Sequence, residues 1–286
     1  MCGPVPAGRH PGVFTSTLIV HTRVGWRTAT VLPRERRCSL HMNFIRLLFT
    51  NPKTVARFLL WRLGIKRYQA AIPLFMIRKH VPKDPIILEA GAHLGEDSAR
   101  LVQFLNPEKL YAFEPVPELF KTLKERTASL AAVECFPYAL AEQCGTAELH
   151  VSSGYHEVSG HSRVPADGSS SLLRPTGHLE LCPNVEFNRQ VEVTVTTIDD
   201  FAKQQNLSRI DFMWLDLQGM ELKALQGAET LLRTVSSVYL EASTKELYQG
   251  APTFAEVEQW MRSRGFIPKY VAIPKDGHGN ALFVRA

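Results

Sequence analysis

The stretch Ile86–Ser98, with the sequence IILEAGAHLGEDS, decides how this chain folds. It starts as a short apolar run, turns at two glycines and continues into a segment of helical character. A second apolar run ends in YAFEP at Tyr111–Pro115, with an acid at Glu114. Short continuous apolar runs are typical of strands buried on both faces of a parallel sheet. The two runs predict neighbouring strands of an α/β fold, with a ligand site at their carboxyl ends.

The spacing from the turn to the second acid indicates an adenosine-bearing cofactor. Glu114 follows Gly91 by 23 residues, about where an acid that accepts both ribose hydroxyls is expected. A dinucleotide fingerprint would need a middle glycine near His93, and a negative charge on Glu89 would disfavour a pyrophosphate. The same charge suits the amino group of S-adenosylmethionine, and the free N–H groups of the following helix suit its carboxylate. The pattern favours S-adenosylmethionine over NAD.

The composition describes a globular chain with a basic N-terminal part. Of its 286 residues 45% are apolar, and none of the apolar runs reaches the roughly 18 residues of a membrane span. Residues 1–84 hold 15 of the 33 Lys and Arg residues but only 2 of the 28 acidic residues. The remainder is acidic, which is not typical of a nucleic-acid-binding fold, and we expect no nucleic-acid partner. Five cysteines without paired short spacing suit a reducing compartment and predict a cytoplasmic protein.

The basic part divides into two predicted segments. Residues 1–41 are rich in Gly, Pro, Thr and Arg without a sustained period, and we predict that they are mostly disordered. Residues 42–84 form a predicted basic helical arm, because Asn51 and Pro52 suit a helix start and apolar residues follow at helical spacing. The arm either packs across the main domain or makes a peripheral contact with an anionic membrane.

Strand and helix patterns alternate after Pro85, which predicts one α/β domain over residues 85–286. The predicted strands are Ile86–Ala90, Leu110–Glu114, Val133–Tyr138, Ile210–Asp216 and Val238–Ala242. The predicted helices are Glu96–Leu105, Pro117–Thr127, Met220–Thr234 and Phe254–Arg264. A final pair, Ile267–Ile273 and Ala281–Arg285, predicts a hairpin at the sheet edge.

Two segments interrupt this alternation. Ala147–Val151 and Val191–Thr197 alternate in polarity like half-exposed antiparallel strands. Between them, Ser152–Gln190 is a long polar stretch that predicts a lid or a binding loop. Its DGSSS run at Asp167–Ser171 either contacts a polyhydroxylated acceptor or forms a solvated loop tip.

Several segments resemble a known family. They are LEAGAHLGEDS, AFEPVP, ALAEQCGTAEL, VTVTTIDDF, NALFVR and, most specifically, WLDLQGMELKALQGA at Trp214–Ala228. Over residues 85–286 the chain resembles the FkbM-type S-adenosylmethionine-dependent methyltransferases. The resemblance implies a class I methyltransferase-like Rossmann sheet of about seven strands, the last one antiparallel. It also implies methyl transfer, commonly to hydroxyl oxygens of natural products or sugars.

The resemblance assigns the cofactor residues one by one. Glu89 and the turn would shape the cofactor loop, Glu114 would hold the ribose, and a pair past the third strand would lie along the adenine. The full predicted cofactor set is Glu89, Gly91, Ala92, His93, Gly95, Ser98, Glu114, Ala139 and Leu140. Similar proteins often carry Asn, Lys and Glu where this chain carries His93, Trp214 and Gln218.

The predicted catalytic residues are Asp216, Glu241 and His93. Asp216 ends the fourth strand, so it is either the base that accepts the acceptor's proton or a cap of the next helix. Glu241 ends the fifth strand and would share the pocket, whereas Glu221 is expected to be structural. His93 is either a proton acceptor or a hydrogen-bonding partner of the backbone. No cluster with ligand spacing supports a metal, so none is predicted.

The predicted function is transfer of a methyl group from S-adenosylmethionine to a hydroxyl of a small molecule, sugar or glycan. A non-catalytic adapter that keeps the fold is the first alternative, and an NAD-dependent oxidoreductase is the second. The 42–84 arm adds a third possibility, localisation at a membrane surface, which is compatible with the enzyme. The oligomeric state is left open.

Overall fold

The computed structural model describes residues 17–22, 25–30, 72–158, 162–275 and 277–286. The chain divides into two compact units, residues 1–59 and 60–286. In the first unit, β1 (Thr17–Thr22) and β2 (Gly25–Thr30) pair as an antiparallel hairpin. The sequence analysis predicts no regular structure there. The helix predicted from Asn51 lies outside the described residues.

The described part of the second unit starts at residue 72 and contains α1 (Leu74–Ile77) and a 3₁₀ turn at Arg78–His80. Met76 and Ile77 are buried, and the Ser237 hydroxyl donates to the carbonyl oxygen of His80. Residues 72–84, the end of the predicted arm, therefore pack as part of the α/β domain.

The main sheet has seven strands: β3 (Ile86–Ala90), β4 (Lys109–Phe113), β5 (Val133–Phe136), β10 (Phe212–Leu215), β11 (Ser237–Ser243), β12 (Phe266–Ala272) and β13 (His278–Arg285). They lie in the order β12-β13-β11-β10-β3-β4-β5. Strands β5, β4, β3, β10 and β11 run parallel, and β13 is antiparallel to both of its neighbours. This confirms the predicted α/β sheet with an antiparallel last strand.

The connecting helices of this sheet are α2 (Glu96–Leu105), α3 (Pro117–Thr127), α5 (Ile198–Gln204), α6 (Glu221–Gln226) and α7 (Phe254–Ser263). The bounds predicted for α2 and α3 are confirmed. The single helix predicted over Met220–Thr234 is wrong, because α6 ends at Gln226 and a 3₁₀ turn follows at Leu231–Thr234. Gly227 lies so close to the Ala141 carbonyl oxygen that a Cβ there would be 2.3 Å away.

A second, four-stranded sheet follows β5 in the chain. It contains β6 (Ala139–Leu140), β7 (Gly145–Val158), β8 (Ser162–Pro165) and β9 (Val185–Thr196), in the order β6-β9-β7-β8. The short helix α4 (Gly177–Leu181) lies between β8 and β9. Most of the predicted long loop over Ser152–Gln190 is therefore regular structure. Its polar composition reflects strands that expose one face to solvent.

Two apolar clusters hold these parts together. The larger one fills the main sheet and its helices, with Leu88, Phe113, Phe201, Met213 and Leu240 among its buried members. The smaller one joins the β7–β9 ribbon to the domain, and its members are Val116, Ala139, Ala141, Leu149, Val151, Val193, Val195 and Met220. The ribbon therefore rests on its own small core beside the sheet.

Candidate active site

The carboxyl ends of β3, β4 and β10 are locked together at Gly91. The N–H groups of Gly91 and Ala92 both donate to the Phe113 carbonyl oxygen, at 3.0 and 2.9 Å, and the Asp216 N–H donates to the Ala90 carbonyl oxygen at 3.0 Å. Gly91 has φ +80°, and a Cβ at this position would lie 1.9 Å from the Asp216 carbonyl oxygen. Only glycine fits this crossing of the two chain segments, because it has no Cβ.

Glu114 lies directly beyond β4 and is 5% exposed. One carboxylate oxygen accepts from the His93 N–H and the other from the Val116 N–H, both at 2.9 Å. Burial raises the pKa of Glu114, and these two N–H groups oppose the rise. Each carboxylate oxygen has a second lone pair, so the side chain is oriented by the main chain and can still accept from two neighbouring hydroxyls.

A cavity of ≈ 240 Å³ opens in front of this turn. Six of the predicted cofactor residues line it: Gly91, Ala92, His93, Glu114, Ala139 and Leu140. Phe113, Leu119, Tyr138 and Met220 add apolar walls, and Glu96 and Asp97 line it at the start of α2. The cavity thus combines an acid for hydroxyls with an apolar slot that suits an adenine.

Three predicted cofactor residues lie behind the cavity rather than on its wall. Glu89 is fully buried, and the Ser98 hydroxyl donates to its Oε2 at 2.6 Å. Gly95 packs against Leu123 and Thr127. Burial raises the pKa of Glu89 to about 8, and its Oε1 has no hydrogen-bond partner among the described residues. The negative charge that the sequence analysis assigned to this residue is therefore largely absent at neutral pH in the free protein.

His93 joins the cofactor turn to the second sheet. Its backbone is in the left-handed region, at φ 50°, and its ring Nε2 lies 2.9 Å from Asp167 Oδ1. Asp167 follows β8, so this contact brings the DGSSS run against the cofactor cavity. Ser169 and Ser171 of the run are buried. The alternative that this run is a solvated loop tip is therefore wrong, and the imidazole bonds a side chain rather than the backbone.

Asp216 and Glu241 are linked through Gln218. The Gln218 Nε2 donates to Asp216 Oδ1 at 2.8 Å and to Glu241 Oε2 at 2.6 Å. The Tyr248 hydroxyl lies 2.8 Å from Gln218 Oε1 and 2.9 Å from the Ser169 carbonyl oxygen. The surrounding protein raises the pKa of both acids, and the charge on Asp216 raises that of Glu241 further. The two predicted catalytic acids therefore form one pair that retains a proton readily.

Glu221 is structural, in line with the sequence analysis. Its Oε1 accepts from the Leu217 N–H at 2.7 Å and its Oε2 from the Gly219 N–H at 3.0 Å. Burial raises its pKa to about 8. Asp216 makes no cap bond to α6, whose N-cap residue is Met220. Of the two roles predicted for Asp216, proton acceptor or helix cap, the structure therefore excludes the cap.

Oxygen atoms of Asp216, Glu221 and Glu241 lie within 4.8 Å of one another, close enough for a divalent cation. In this arrangement the Gln218 amide nitrogen bonds Asp216 and Glu241, and the oxygens of Glu221 hold two main-chain N–H groups. Gln218 therefore occupies one oxygen of Asp216 and one of Glu241, and the main chain occupies both oxygens of Glu221.

A second cavity, of ≈ 320 Å³, adjoins the first one. The two share His93, Asp167 and Gly168 in their linings. Asp216 lines the first cavity and Glu241 lines the second, so the acid pair stands at the border between them. The second cavity is further lined by His156, His178, Gln218, Ser243, Tyr248 and His278.

The sequence analysis missed most of the second cavity. His156, His178, Tyr248 and His278 come from β7, α4, the segment after β11 and β13, and no local motif connects them. The signals in this region were His93, Glu241, the Gln218–Glu221 part of the Trp214–Ala228 motif and the DGSSS run, which contains Asp167.

Comparison with known proteins decides the family. Residues 89–268 match the Methyltransferase FkbM domain, which covers more than half of the chain. The chain belongs to the FkbM methyltransferase family. The match spans the cofactor turn, the ribbon, the acid pair and the start of β12, so most of the lining of both cavities falls within it.

Curated relatives carry methyltransferase names. The 2-O-methyltransferase NoeI of Sinorhizobium fredii is 30% identical over 167 residues, which are 58% of this chain and 67% of that protein. Methyltransferase sdnD of Sordaria araneosa is 25% identical over 52% of this chain and 62% of its own length. Methyltransferase 1 of Beauveria bassiana is 24% identical over 65% of this chain and 73% of its own length.

Solved structures align more remotely. TrmK of M. capricolum in complex with S-adenosyl-homocysteine aligns at a TM-score of 0.40 and 10% identity, over 76% of this chain and 70% of that one. The fibrillarin/Nop5p complex aligns at a TM-score of 0.44 and 13% identity, over 74% of this chain and 79% of that one.

The chain is an S-adenosylmethionine-dependent methyltransferase, and the first cavity suits that cofactor. Glu114 is oriented to accept from ribose hydroxyls, and Phe113 and Leu140 line an apolar slot. The unpartnered Oε1 of the buried Glu89 adds a site for a donor group or a water molecule behind the turn. The family membership favours S-adenosylmethionine over NAD.

Proposed function

We propose that this protein methylates a hydroxyl oxygen of a small-molecule or glycan acceptor that binds in the second cavity. The observation that carries the proposal is the pair of adjoining cavities with Asp216 and Glu241 at their border. A cofactor in one cavity and an acceptor in the other would meet at these two acids. The relative NoeI is a 2-O-methyltransferase, which supports oxygen rather than nitrogen as the methylated atom.

Bound S-adenosylmethionine supplies a methyl group on a sulfonium, which needs no activation by the protein. A neutral hydroxyl, however, must lose its proton during the transfer. Asp216 and Glu241 stand at the cavity border, and their raised pKa values make them stronger bases than ordinary carboxylates. We assign Asp216 as the proton acceptor and Glu241 as its partner, which holds the pair's proton in the resting state.

The neighbouring residues orient this pair. Gln218 holds both acids through its side-chain nitrogen, and its main-chain carbonyl oxygen accepts from the Ser171 hydroxyl at 2.8 Å. Because Gln218 has φ 52°, its loop conformation is strained and needs these contacts. Glu221 fixes the same loop from the other side. Alignment of this kind is the larger part of what a methyltransferase contributes.

The proposal is tested by incubating the full chain with methyl-labelled S-adenosylmethionine and a panel of acceptors. The panel contains neutral glycosides, simple alcohols, phenols, amines and RNA. Label is expected in a hydroxyl-bearing acceptor, with the Asp216→Asn variant about 100-fold slower and the exposed Glu192→Gln variant unchanged. Transfer to amines alone would overturn the proposal. Cofactor binding without transfer to any acceptor would establish the adapter alternative instead.

The membrane contact of residues 42–84 remains a proposal of its own. In the described part of the chain no helix is both long enough and apolar enough to span a bilayer. The proposal rests on the excess of basic residues before residue 85. Co-sedimentation with vesicles that contain anionic lipid tests it, and binding that persists after deletion of residues 42–71 would contradict it.

A further inference from the structure

His178 is a buried polar side chain without a protein partner. The residue is 5% exposed, and its Nδ1 has no hydrogen-bond partner among the described residues. Buried polar groups in native proteins nearly always have a partner, and leaving one unpaired costs about 1–3 kcal/mol. His178 also lines the second cavity. The protein thus tolerates an unpaired imidazole at the place where an acceptor would bind.

The imidazole is held in a fixed position. Its ring packs against Phe187 at 5.6 Å and Tyr248 at 5.3 Å between centroids. The backbone of α4 is anchored by N–H groups of Thr176 and His178, which both donate to the Leu247 carbonyl oxygen at 3.0 Å. A side chain placed in this way loses little freedom when a ligand binds it.

His178 lies one aromatic ring away from the acid pair. Tyr248 packs against His178 on one side, and its hydroxyl reaches Gln218 Oε1, whose amide nitrogen bonds both Asp216 and Glu241. Glu241, Tyr248 and His178 line the same cavity, so an acceptor bound there, for example one with a six-membered ring, lies between the acids and the imidazole. The cavity of ≈ 320 Å³ has room for such a group.

The imidazole of His178 itself favours a neutral partner group. Burial lowers the pKa of His178 to about 4, with smaller contributions from His278 and His156, so the ring is neutral at physiological pH. Glu221, Glu241 and Asp167 line the same cavity together with Lys245. A neutral imidazole offers one donor and one acceptor, which match a hydroxyl.

Building on the proposed function, we propose that His178 binds a second hydroxyl of the acceptor, so that the enzyme selects neutral molecules carrying at least two hydroxyls. One hydroxyl is methylated at Asp216 and Glu241, and the other pairs with the imidazole. A site built to bind a hydroxyl rejects analogues that lack it, because its own polar group then stays unpaired.

His80 provides a matched control. Its Nε2 is also buried without a partner among the described residues, and its ring makes an edge contact with Tyr270 at 5.7 Å. His80 lies in the 3₁₀ turn before β3 and lines neither cavity. His178→Phe and His80→Phe therefore remove the same kind of group, and only one of them removes it from the acceptor cavity.

The experiment measures transfer to neutral methyl glycosides and to their monodeoxy analogues, with wild-type protein and both variants. His178→Phe is expected to raise the acceptor KM about tenfold and to leave the calorimetric Kd for S-adenosylmethionine unchanged. For one monodeoxy glycoside, the KM of the wild-type protein should be higher than for the parent glycoside by a similar factor. The KM of His178→Phe should differ little between the two compounds. His80→Phe should transfer like wild type. Neither variant should melt lower than wild type, since each removes an unpaired polar group.

Three outcomes overturn the inference. Wild-type KM values in His178→Phe would show that the ring does not contact the acceptor. A loss of cofactor binding or folding in both His178→Phe and His178→Gln would show a structural role. Equal transfer to simple monohydric alcohols would refute the second hydroxyl while the proposed function stands. If label reaches no hydroxyl in any acceptor class, the proposed function fails together with the inference.

Discussion

The two cavities of this enzyme are built in different ways. The cofactor cavity is formed largely by consecutive residues at the ends of neighbouring parallel strands, where Gly91 and Glu114 are fixed by main-chain hydrogen bonds. The second cavity, which we propose binds the acceptor, is assembled from side chains on the β7–β9 ribbon, the five-residue helix α4 and the strands β11 and β13. The first depends on backbone geometry and the second on side-chain chemistry. Substitutions in the first cavity and in the second cavity should therefore impair the protein in different ways.

The largest effect is expected from Gly91→Ala. A Cβ 1.9 Å from the Asp216 carbonyl oxygen forces β3 and β10 apart, so we expect a loss of more than about 4 kcal/mol in unfolding free energy or no folded protein. Gly250→Ala is the control, because Gly250 has φ +74° with open space around it and should lose only about 1 kcal/mol. Urea unfolding measures both. Similar losses would show that left-handed backbone strain, and not the close contact, governs this position.

The second prediction concerns the acid pair. Gln218→Glu places a third carboxylate between Asp216 and Glu241, which should raise the pKa of the pair and move the alkaline rise of kcat upward by about one pH unit. At pH values below the pKa of the pair this predicts a fall in kcat of about tenfold, with cofactor affinity nearly unchanged. A pH–rate profile with a saturating acceptor measures the shift. An unshifted profile would mean that the pair does not accept the proton.

The third prediction tests the ribose acid. Glu114→Gln keeps the shape of the side chain but removes its charge and one acceptor, so the Kd for S-adenosylmethionine should rise about 10- to 100-fold. Glu118→Gln is the control, since Glu118 is exposed and pairs with Arg189 away from the cavity lining. Isothermal calorimetry compares the two. Equal Kd values in both variants would contradict the role of Glu114.

The fourth prediction concerns Glu89 and depends on pH. Its pKa is raised to about 8 in the folded protein from 4.5, so unfolding releases its proton between these values. The contribution of the Glu89 carboxyl group to the free energy of unfolding is therefore fully present below pH 4.5 and is lost as the pH rises toward 8. Glu89→Gln should change the slope of unfolding free energy between pH 5 and 7.5 by about 1.4 kcal/mol per unit, because this loss no longer occurs.

Glu118→Gln is again the control for this slope. Its pKa is lowered to about 2, chiefly by the hydrogen bond from Arg189, so its contribution is lost only as the pH falls below 4.5. Denaturation between pH 5 and 7.5 should not distinguish it from wild type. An unchanged slope in Glu89→Gln would mean that Glu89 is ionised in the folded protein.

The difference between the two cavities also explains how much of each could be predicted from the sequence. The strand Ile86–Ala90 and the helix Glu96–Leu105 match their predicted bounds, because apolar runs, glycines and helix spacing are local signals. Six predicted cofactor residues line the first cavity for the same reason. The middle of the ribbon, residues 152–190, resembles a long loop in sequence, because strands with one solvated face carry many polar residues. His178 and Tyr248 were missed, since their meeting depends on long-range packing that no local pattern encodes.

The small apolar cluster beneath the ribbon has a consequence for the evolution of such enzymes. Leu149, Val151 and Val193 pack with one another and with Val116 and Met220, apart from the larger core of the main sheet. Residues on the ribbon can therefore diverge without disturbing the packing on which most of the folding stability depends. A lineage can in this way change the residues of the ribbon that face the second cavity, while Ala139, Leu149 and Met220, which also line the first cavity, keep their places.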